Sequence, residues 1–218
     1  MKNSTLNLTV FNTDIYDYQT LVQSPQLGVN RGYLANADHV RTRGIELETS
    51  YSLPDYFKFT GSLIYTDGRY ISFPNAPLPL EKTGQTINAQ QVAFEDISGG
   101  KLPGISNWSF STGAEAFTTG KLIGQEGEYF VGADVFYRSS FSSSPSPSAY
   151  LNIDGYALVN ARLGFRTVKG VTVYLWSRNL GDVDYFEQLL PAAGNAGHYA
   201  GVLGDPRTAG ITLRYNFY

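Results

Sequence analysis

The sequence predicts an all-β protein, an antiparallel transmembrane β-barrel segment of about eight strands with short periplasmic turns and long extracellular loops. Three observations predict it. The last strand alternates strictly, with Ile211, Leu213, Tyr215 and Phe217 on one face and polar residues on the other, as β-strand side chains do. The chain is rich in Tyr (16) and Gly (23), and only 16% of its residues are charged. Short and long connections also alternate along the chain, as they do in outer-membrane barrels.

The terminal strand fits a membrane better than a soluble sheet. About ten residues, tilted near 45°, cross the hydrocarbon layer of a membrane, and aromatic rings favour its interface with water. The chain stops on such rings, at Phe217 and Tyr218. A sandwich strand would bury this aromatic face in a core instead, so the pattern favours a membrane barrel.

The first three strands follow from the same period of two. Residues 4–19 alternate between apolar and polar side chains, and residues 43–51 do so again after a polar connection at 20–38. Pro and Asp make 52–55 a tight turn. The third strand then runs over 57–73.

A long segment, 74–104, separates the third strand from the fourth. It contains Pro, Gln, Asn and Gly with little periodicity, and a loop of this length is expected to carry a function. Strands resume at 108–116 and, after a glycine-containing turn at 119–127, at 129–138. Residues 139–148 are mostly Ser and Pro and are expected to form a mobile, solvated loop.

The last three strands complete the count of eight. The sixth covers 153–165 and is joined by a hairpin turn at 167–170 to the seventh, which covers 171–186. A connection rich in Gly and Ala, 191–205, leads to the terminal strand at 208–217. Connections after even-numbered strands are thus short and those after odd-numbered strands are longer. A soluble sandwich has no reason to sort its loops this way, whereas an outer-membrane barrel keeps short turns in the periplasm.

The composition excludes several classes of function. The net charge of -3 provides no basic footprint, so nucleic acid is not an expected partner. The absence of Cys excludes thiolate chemistry and Cys-ligated metals, and two His residues leave little for a metal cluster. No catalytic constellation is recognisable. The sequence therefore predicts no enzyme activity, no cofactor and no metal site.

Charged residues on the polar strand faces are interpreted as the wall of a lumen. Glu46 and Glu48 lie at positions i and i+2 of one strand and are near enough to share a proton. A polar lumen face explains them more simply, with arginines such as Arg162 and Arg214 balancing their charge. The same interpretation covers Glu115 and Arg138.

Several stretches, taken together, resemble the C-terminal part of TonB-dependent outer-membrane receptors. Each motif is short, but they occur in the order and spacing of that family. The motifs are R-G-I-E-L-E at 43–48, L-P-G at 102–104, N-A-R-L-G at 160–164, R-N-L-G-D at 178–182 and G-D-P-R-T at 204–208.

The resemblance implies that residues 1–218 are the C-terminal part of a receptor barrel of about 22 strands around a plug. The plug, the TonB-contacting box and a signal peptide are not found in the sequence, so a piece of a longer protein is expected. The implied partners are outer-membrane lipid, the rest of the barrel and plug, TonB through the missing N-terminal part, and the barrel assembly machinery. The assembly signal is assigned to Leu213, Tyr215, Phe217 and Tyr218, although the family usually ends on the aromatic residue that Phe217 represents.

The implied function is TonB-dependent uptake of a scarce nutrient across the outer membrane of a Gram-negative bacterium. The nutrient would be a ferric siderophore, cobalamin or a carbohydrate, and outer loops and the upper lumen would contact it. The candidate ligand-binding residues are Arg31, Tyr33, Arg69, Tyr70, His198 and Tyr199. The alternative is a self-closed eight-stranded outer-membrane protein with a structural or adhesive role. That alternative requires a lumen packed by side chains, whereas this inner face is small and polar. A soluble β-sheet enzyme is disfavoured because no catalytic set is found.

Overall fold

A computed structural model describes residues 3–24, 32–54, 56–87, 90–192 and 197–217. Eight long strands make one antiparallel sheet in which neighbours in sequence are neighbours in space. The all-β fold class and the number of strands are thereby confirmed. The strands are β1 (Asn3–Gln23), β2 (Gly32–Leu53), β3 (Phe57–Ser72), β4 (Trp108–Leu122), β5 (Gln125–Arg138), β6 (Tyr156–Thr167), β7 (Val171–Arg178) and β8 (Thr208–Tyr215).

The register of the sheet lines up apolar side chains across the strands. Leu47 of β2 lies between Leu8 of β1 and Leu63 of β3, and Leu63 pairs in turn with Phe110 of β4. Alternate residues therefore form an apolar face and a polar face. Leu8 is 67% exposed. Removing apolar surface from water is favourable by about 25 cal/mol per Å², so such a face fits contact with lipid.

Aromatic rings border the apolar face towards both ends of the strands. Tyr65 packs against Trp108 near the long connections, with ring centroids 4.8 Å apart. Tyr129 packs against Phe165 near the short turns, also at 4.8 Å. Rings of this kind favour the boundary between lipid and water. Between these two pairs, the apolar face of the described strands carries no charged side chain. We call the end with long connections the loop end and the other the turn end.

The predicted connection at 20–38 is wrong, because β1 and β2 continue through much of it. The two strands remain paired as far as Gln23 and Gly32. Backbone pairing does not require an alternating sequence, and the alternation fades here. At 21 and 22 residues, these strands are about twice as long as the roughly ten residues that a membrane crossing requires.

The turn predicted at 119–127 is also too long. β4 and β5 are joined by Ile123 and Gly124 alone, and both have positive φ angles, 50° and 74°. Two positive φ angles in a two-residue loop are typical of a type I′ hairpin. Gly120 and Gly127, which suggested a turn, instead pair with each other in the ladder.

The predicted seventh strand, 171–186, ends early at Arg178. Asn179 and Asp182 have positive φ angles of 46° and 52°, and the Asn179 amide donates hydrogen bonds to the carbonyl oxygens of Val183 and Asp205. This turn takes the chain out of the sheet. Residues Phe186–Pro191 then pair with Tyr199–Leu203 in a separate hairpin, whose second strand lies within the predicted connection at 191–205.

The segment 74–104 folds at the loop end and contributes three of the seven buried residues of the hydrophobic core there. Ala76–Pro77 pairs with Phe94–Glu95, and a short 3-10 turn covers Leu80–Lys82. A further short pair joins Thr86–Ile87 to Gln90–Gln91. The buried core residues are Ala37, Val40, Tyr70, Phe73, Ala76, Ile97 and Leu102.

The segment 139–148 was expected to be solvated, and that prediction is wrong. Ser146 and Ser148 are buried, and Phe141–Ser142 pairs with Asn152–Ile153. The predicted sixth strand therefore starts too early, because Ile153 belongs to this small hairpin. The sequence lacks periodicity here because the contacts are made with distant loops.

Within the described residues, β1 and β8 each pair with one neighbour, so the sheet is open at both edges. No helix in the described part of the chain is long and apolar enough to cross a membrane.

Candidate functional site on the polar face and at the loop end

A network of ion pairs crosses the polar face near the turn end. Arg162 of β6 lies between Glu115 of β4 and Asp134 of β5. Arg166 of β6 lies 2.6 Å from the second oxygen of Glu115 and 3.0 Å from Glu128. Two arginines thus share three carboxylates, which orders five charged side chains in one place.

A glycine in the central strand makes this network possible. Glu115 and Arg162 both lie opposite Gly132, one on each side of it. A Cβ atom at Gly132 would lie 3.2 Å from the guanidinium carbon of Arg162. The missing side chain therefore lets Arg162 reach across β5 to Glu115.

The predicted balance of Glu46 and Glu48 by Arg162 and Arg214 is wrong. Among the described residues neither glutamate forms an ion pair, and Arg162 pairs with Glu115 and Asp134 instead. The reason is distance across the sheet, because β2 and β6 are separated by three strands. Arg138 likewise forms no ion pair in the part of the chain that the structure describes.

Arg138 connects the sheet to the loop end. Its guanidinium donates hydrogen bonds to the Ser106 hydroxyl and the Gly104 carbonyl, each at 3.0 Å. Its guanidinium carbon also lies 3.6 Å from the ring centroid of Phe141. Charge, hydrogen bonds and an aromatic face together fix the start of the serine-rich segment.

A cavity of about 430 Å³ lies at the loop end between the 97–101 and 140–154 segments. Hydroxyl, amide and charged groups share its wall with apolar rings and prolines, the mixture typical of small-molecule sites. Residues in this wall include Ile97, Lys101, Phe141, Ser144, Asn152 and Asp154.

Glu81 joins three separate loops beside this cavity. The Ala149 backbone N–H donates a hydrogen bond to one carboxylate oxygen at 2.8 Å, and the Tyr199 hydroxyl donates to the other at 2.7 Å. The Tyr199 ring packs on Tyr150 at 5.2 Å. Segments 76–95, 139–153 and 186–203, which we call the loop cluster, are therefore held at one carboxylate.

The ionisation of these two groups follows from their surroundings. Burial and the neighbouring Glu81 carboxylate raise the pKa of Tyr199 to about 12. Burial opposes ionisation of Glu81, but hydrogen bonds from Tyr199 and from other donors outweigh it and lower the pKa of the carboxyl. At neutral pH the pair is a phenol donating to a carboxylate, which is a charge-assisted hydrogen bond.

Serine side chains also join the segments of the loop cluster by hydrogen bonds. The Ser143 hydroxyl lies 2.7 Å from the Leu189 carbonyl, and the Ser146 hydroxyl donates to the Pro77 carbonyl at 2.7 Å. Neither residue was identified from the sequence, nor was Glu81. The only signal was compositional, since Ser and Pro are residues of hydrogen-bonded turns.

The structure separates the candidate ligand-binding residues. Tyr70 is fully buried in the hydrophobic core, with its ring 5.2 Å from that of Phe73. Arg69 lies on the apolar face of β3 and pairs with Asp67 at 2.8 Å. Tyr70 also contributes to the wall of the 430 Å³ cavity at the loop end, whereas the Arg69 side chain is 47% exposed.

The other candidates lie towards the loop end. Tyr33 is partly exposed near the start of β2. His198 is exposed and directly precedes the strand in which Tyr199 binds Glu81. Arg31 lies outside the described residues. His39, on β2, stacks on Tyr16 at 4.5 Å and lies 2.6 Å from a carboxylate oxygen of Asp14.

The C-terminal residues assigned to an assembly signal lie on the apolar face or beyond it. Leu213 is 73% exposed, and the rings of Tyr215 and Phe217 meet edge to face at 4.6 Å. Tyr218 lies outside the described residues.

Comparison with known proteins gives one family and one fold. A family model described as TonB dependent receptor-like, beta-barrel matches residues 2–180. No curated protein matches the chain. Solved structures do match it, and three of them are described below.

The ferric yersiniabactin uptake receptor FyuA from Yersinia pestis is similar with a TM-score of 0.70 and 16% identity, over 99% of this chain and 28% of that one. The siderophore receptor PiuA from Acinetobacter baumannii has a TM-score of 0.58 and 17% identity, over 96% of this chain and 25% of that one. The ferric-catecholate import receptor Fiu from E. coli K12 has a TM-score of 0.56 and 19% identity, over 96% of this chain and 24% of that one. The chain therefore spans about a quarter of the length of the receptors whose fold it shares.

Proposed function

This chain belongs to the TonB-dependent receptor-like β-barrel family, and from that premise we propose that it forms part of an outer-membrane receptor for TonB-dependent uptake of a scarce nutrient. Its partners in this proposal are outer-membrane lipid, the rest of a receptor barrel with its plug, TonB and the barrel assembly machinery. The role proposed is transport without catalysis.

The observation that carries this proposal is the division of the sheet into two faces. One face is apolar and uncharged between aromatic rows, and the other holds the ordered network of Glu115, Asp134, Glu128, Arg162 and Arg166. Ordered charges belong on a wall that meets water or protein, because lipid would leave them unsolvated. A receptor barrel has such a wall towards its lumen and plug.

A ferric siderophore is the substrate class we propose. The receptors that share the fold are described as receptors for ferric yersiniabactin, for a siderophore and for ferric catecholate. The wall of the 430 Å³ cavity at the loop end combines hydroxyl and amide groups with Lys101 and Asp154. These groups suit the oxygen-rich surface of an iron chelate. Cobalamin and a carbohydrate are the alternative nutrients.

Uptake measurements in the source bacterium test this proposal. We expect deletion of the gene to abolish uptake of one ⁵⁵Fe-siderophore from a panel, and removal of TonB to have the same effect. Cobalamin and oligosaccharide uptake are measured in parallel to distinguish the substrate class. Unchanged uptake of all three nutrient classes after deletion would contradict the proposal, as would uptake that persists without TonB.

The self-closed eight-stranded barrel remains the alternative from a different class. The open edges at β1 and β8 speak against it, since unpaired backbone groups in lipid each cost several kcal/mol. We expect residues 1–218 expressed alone to associate through these edges in detergent. A compact monomer that changes mobility on heating would favour the alternative.

A further inference from the structure

We infer that the cavity at the loop end takes a ferric chelate without net negative charge, of the trihydroxamate type, and discriminates against a trianionic ferric catecholate. The inference rests on the proposed function and narrows the substrate class of that same site. It follows from the charges in and around the 430 Å³ cavity.

The cavity wall carries one charge of each sign. Its charged side chains are Lys101 and Asp154. Within the described residues neither forms an ion pair, and the Lys101 ammonium donates a hydrogen bond to the side-chain oxygen of Asn107 at 2.7 Å. An anionic ligand would therefore meet a single cation in this wall, together with a carboxylate.

The segments around the cavity carry an excess of negative charge. Segments 76–105, 139–155 and 183–203, which we call the loop-end segments, contain two lysines and six carboxylates, which leaves four negative charges. Among the described residues, one of these carboxylates forms an ion pair, Glu95 with Lys82 at 2.9 Å. The other five are Glu81, Asp96, Asp154, Asp184 and Glu187.

Hydrogen bonds to two of these carboxylates do not cancel their charges. Asp96 precedes Ile97 of the cavity wall and accepts hydrogen bonds from the backbone N–H and the hydroxyl of Ser98, at 2.9 and 2.5 Å. Glu81 accepts from a backbone N–H and a tyrosine hydroxyl. All these donors are uncharged. The hydrogen bonds from Ser98 lower the pKa of Asp96, so this carboxylate, like that of Glu81, is ionised at neutral pH.

Nearby arginines do not reverse this balance. Arg69 reaches the Gly99 carbonyl oxygen at 3.3 Å, but it pairs with Asp67 at 2.8 Å on the outward face of the sheet. Arg138 stacks on Phe141, which belongs to the cavity wall. Counting Arg138 with the loop-end segments still leaves an excess of three negative charges.

Charges at these positions act directly on a bound ligand. A sphere of 430 Å³ is about 9 Å across, so charges in the cavity wall lie within the roughly 8 Å over which physiological salt screens them. Burying an ionised group is costly unless an opposite charge pairs with it. Iron(III) bound by three catecholates is a trianion, and most of its charge would stay unpaired here.

A neutral chelate fits the remaining groups of the cavity wall. Iron(III) bound by three hydroxamates has no net charge, because each hydroxamate contributes one negative charge. Its oxygens accept hydrogen bonds, and Lys101, Ser140 and Asn152 have donors for them. Its apolar linkers can pack on Ile97 and Phe141. The wall thus matches the chelate in charge, hydrogen bonding and polarity.

Binding of two matched ferric chelates to the purified full-length receptor tests the inference. A trihydroxamate and a tricatecholate are built on one mesitylene scaffold, so that charge is the main difference between them. We expect the trihydroxamate to bind at least about tenfold more tightly, because like charges disfavour the trianion. Raising NaCl from about 50 to about 500 mM should strengthen tricatecholate binding, since salt screens repulsion, and should leave trihydroxamate binding unchanged.

A single substitution assigns the discrimination to the cavity. Asp154→Asn removes the carboxylate from the cavity wall and is expected to raise tricatecholate affinity roughly fivefold. The control Glu126→Gln removes a carboxylate from the exposed turn-end hairpin, and should change the affinity for either chelate by less than about twofold, because that hairpin lies well beyond the screening length. If Asp154→Asn does not insert, Asp96→Asn provides the same test.

Three results would overturn the inference. The first is binding of the tricatecholate as tight as, or tighter than, that of the trihydroxamate. The second is tricatecholate affinity that falls as salt rises, because attraction and not repulsion would then be screened. The third is an Asp154→Asn receptor that binds the tricatecholate no better than the Glu126→Gln receptor does.

Uptake of the same chelates loaded with ⁵⁵Fe distinguishes this inference from the proposed function. If the wild-type receptor neither binds nor imports any ferric chelate, the siderophore proposal itself fails. If it imports the tricatecholate in preference to the trihydroxamate, the siderophore proposal stands and the charge discrimination inferred here is wrong.

Discussion

Apolar side chains are exposed on the apolar face of the eight-stranded sheet, which we call the wall, but are buried at the loop end. Leu8 and Leu213 in the wall are 67% and 73% exposed, whereas Phe73 at the loop end is 2% exposed and Tyr70 fully buried. Both regions belong to one chain, and β2 and β3 run continuously from one into the other. The difference therefore reflects the surrounding solvent rather than the composition.

In the proposed receptor, the change from exposed to buried apolar residues corresponds to the point where lipid ends. Each residue of the wall would then face either lipid or the lumen, so an alternating sequence is sufficient there. At the loop end both sides meet water, and apolar residues must pack against one another. The aromatic pair Tyr65 and Trp108 marks the boundary between the two regions.

The largest expected effect is a cavity in the hydrophobic core at the loop end. Phe73→Ala removes a buried ring and is expected to destabilise the packing of the loops by about 3–5 kcal/mol. Hydrogen exchange of the 70–105 backbone measures the effect. The matched control Val10→Ala also removes apolar atoms, but from an exposed position facing lipid, and should leave loop exchange unchanged. Equal protection in Phe73→Ala and wild type would mean that the loops are not packed as described.

A charge on the apolar face tests the wall itself. Leu163→Arg is expected to lower the free energy of unfolding in lipid vesicles by about 2–4 kcal/mol, while Arg at Ser111, on the polar face, should be nearly neutral. Urea titration of the vesicle-bound receptor gives both values. If the two substitutions were tolerated equally, the assignment of the faces would fail.

The alternation that supports these predictions was visible in the sequence, and so were the eight strands and their order. The alternation no longer predicts the strands at the loop end, where in the proposed receptor lipid does not constrain the chain. The end of β1 and the start of β2 continue on backbone pairing alone. β7 ends at Arg178, just before the left-handed Asn179, which no hydrophobic pattern signals.

The candidate site was less predictable, for a related reason. Glu115 and Arg162 could be assigned to the inner wall from their strand faces, but their pairing depends on Gly132 lying between them. At the loop end, Glu81 and Tyr199 are 118 residues apart. Contacts between irregular segments so far apart leave no periodic trace, so the loop cluster could be recognised only from the structure.

A smaller, pH-dependent effect is expected at Glu81. Its pKa in the folded loops lies below the ordinary 4.5, so its stabilising contribution is present above pH 4.5 and is lost as the pH falls through the folded pKa. We expect the loop cluster to become more susceptible to pepsin between pH 4.5 and pH 3. Glu81→Gln should remove this dependence on pH, whereas Glu126→Gln, in the exposed turn-end hairpin, should retain it. A wild-type profile that is flat over this range would contradict the role of the carboxylate.

The most direct test of the account is the side of the membrane on which each end of the wall lies. Single cysteines replace Gln91 at the loop end and Lys169 at the turn end, in a protein that otherwise has no Cys. Because the loop end is assigned to the cell exterior, a membrane-impermeant maleimide should label the cysteine at position 91 in intact cells and the one at 169 only after the outer membrane is opened. Labelling at 169 but not at 91 in intact cells would contradict the topology, and with it the assignment of the wall to an outer-membrane receptor.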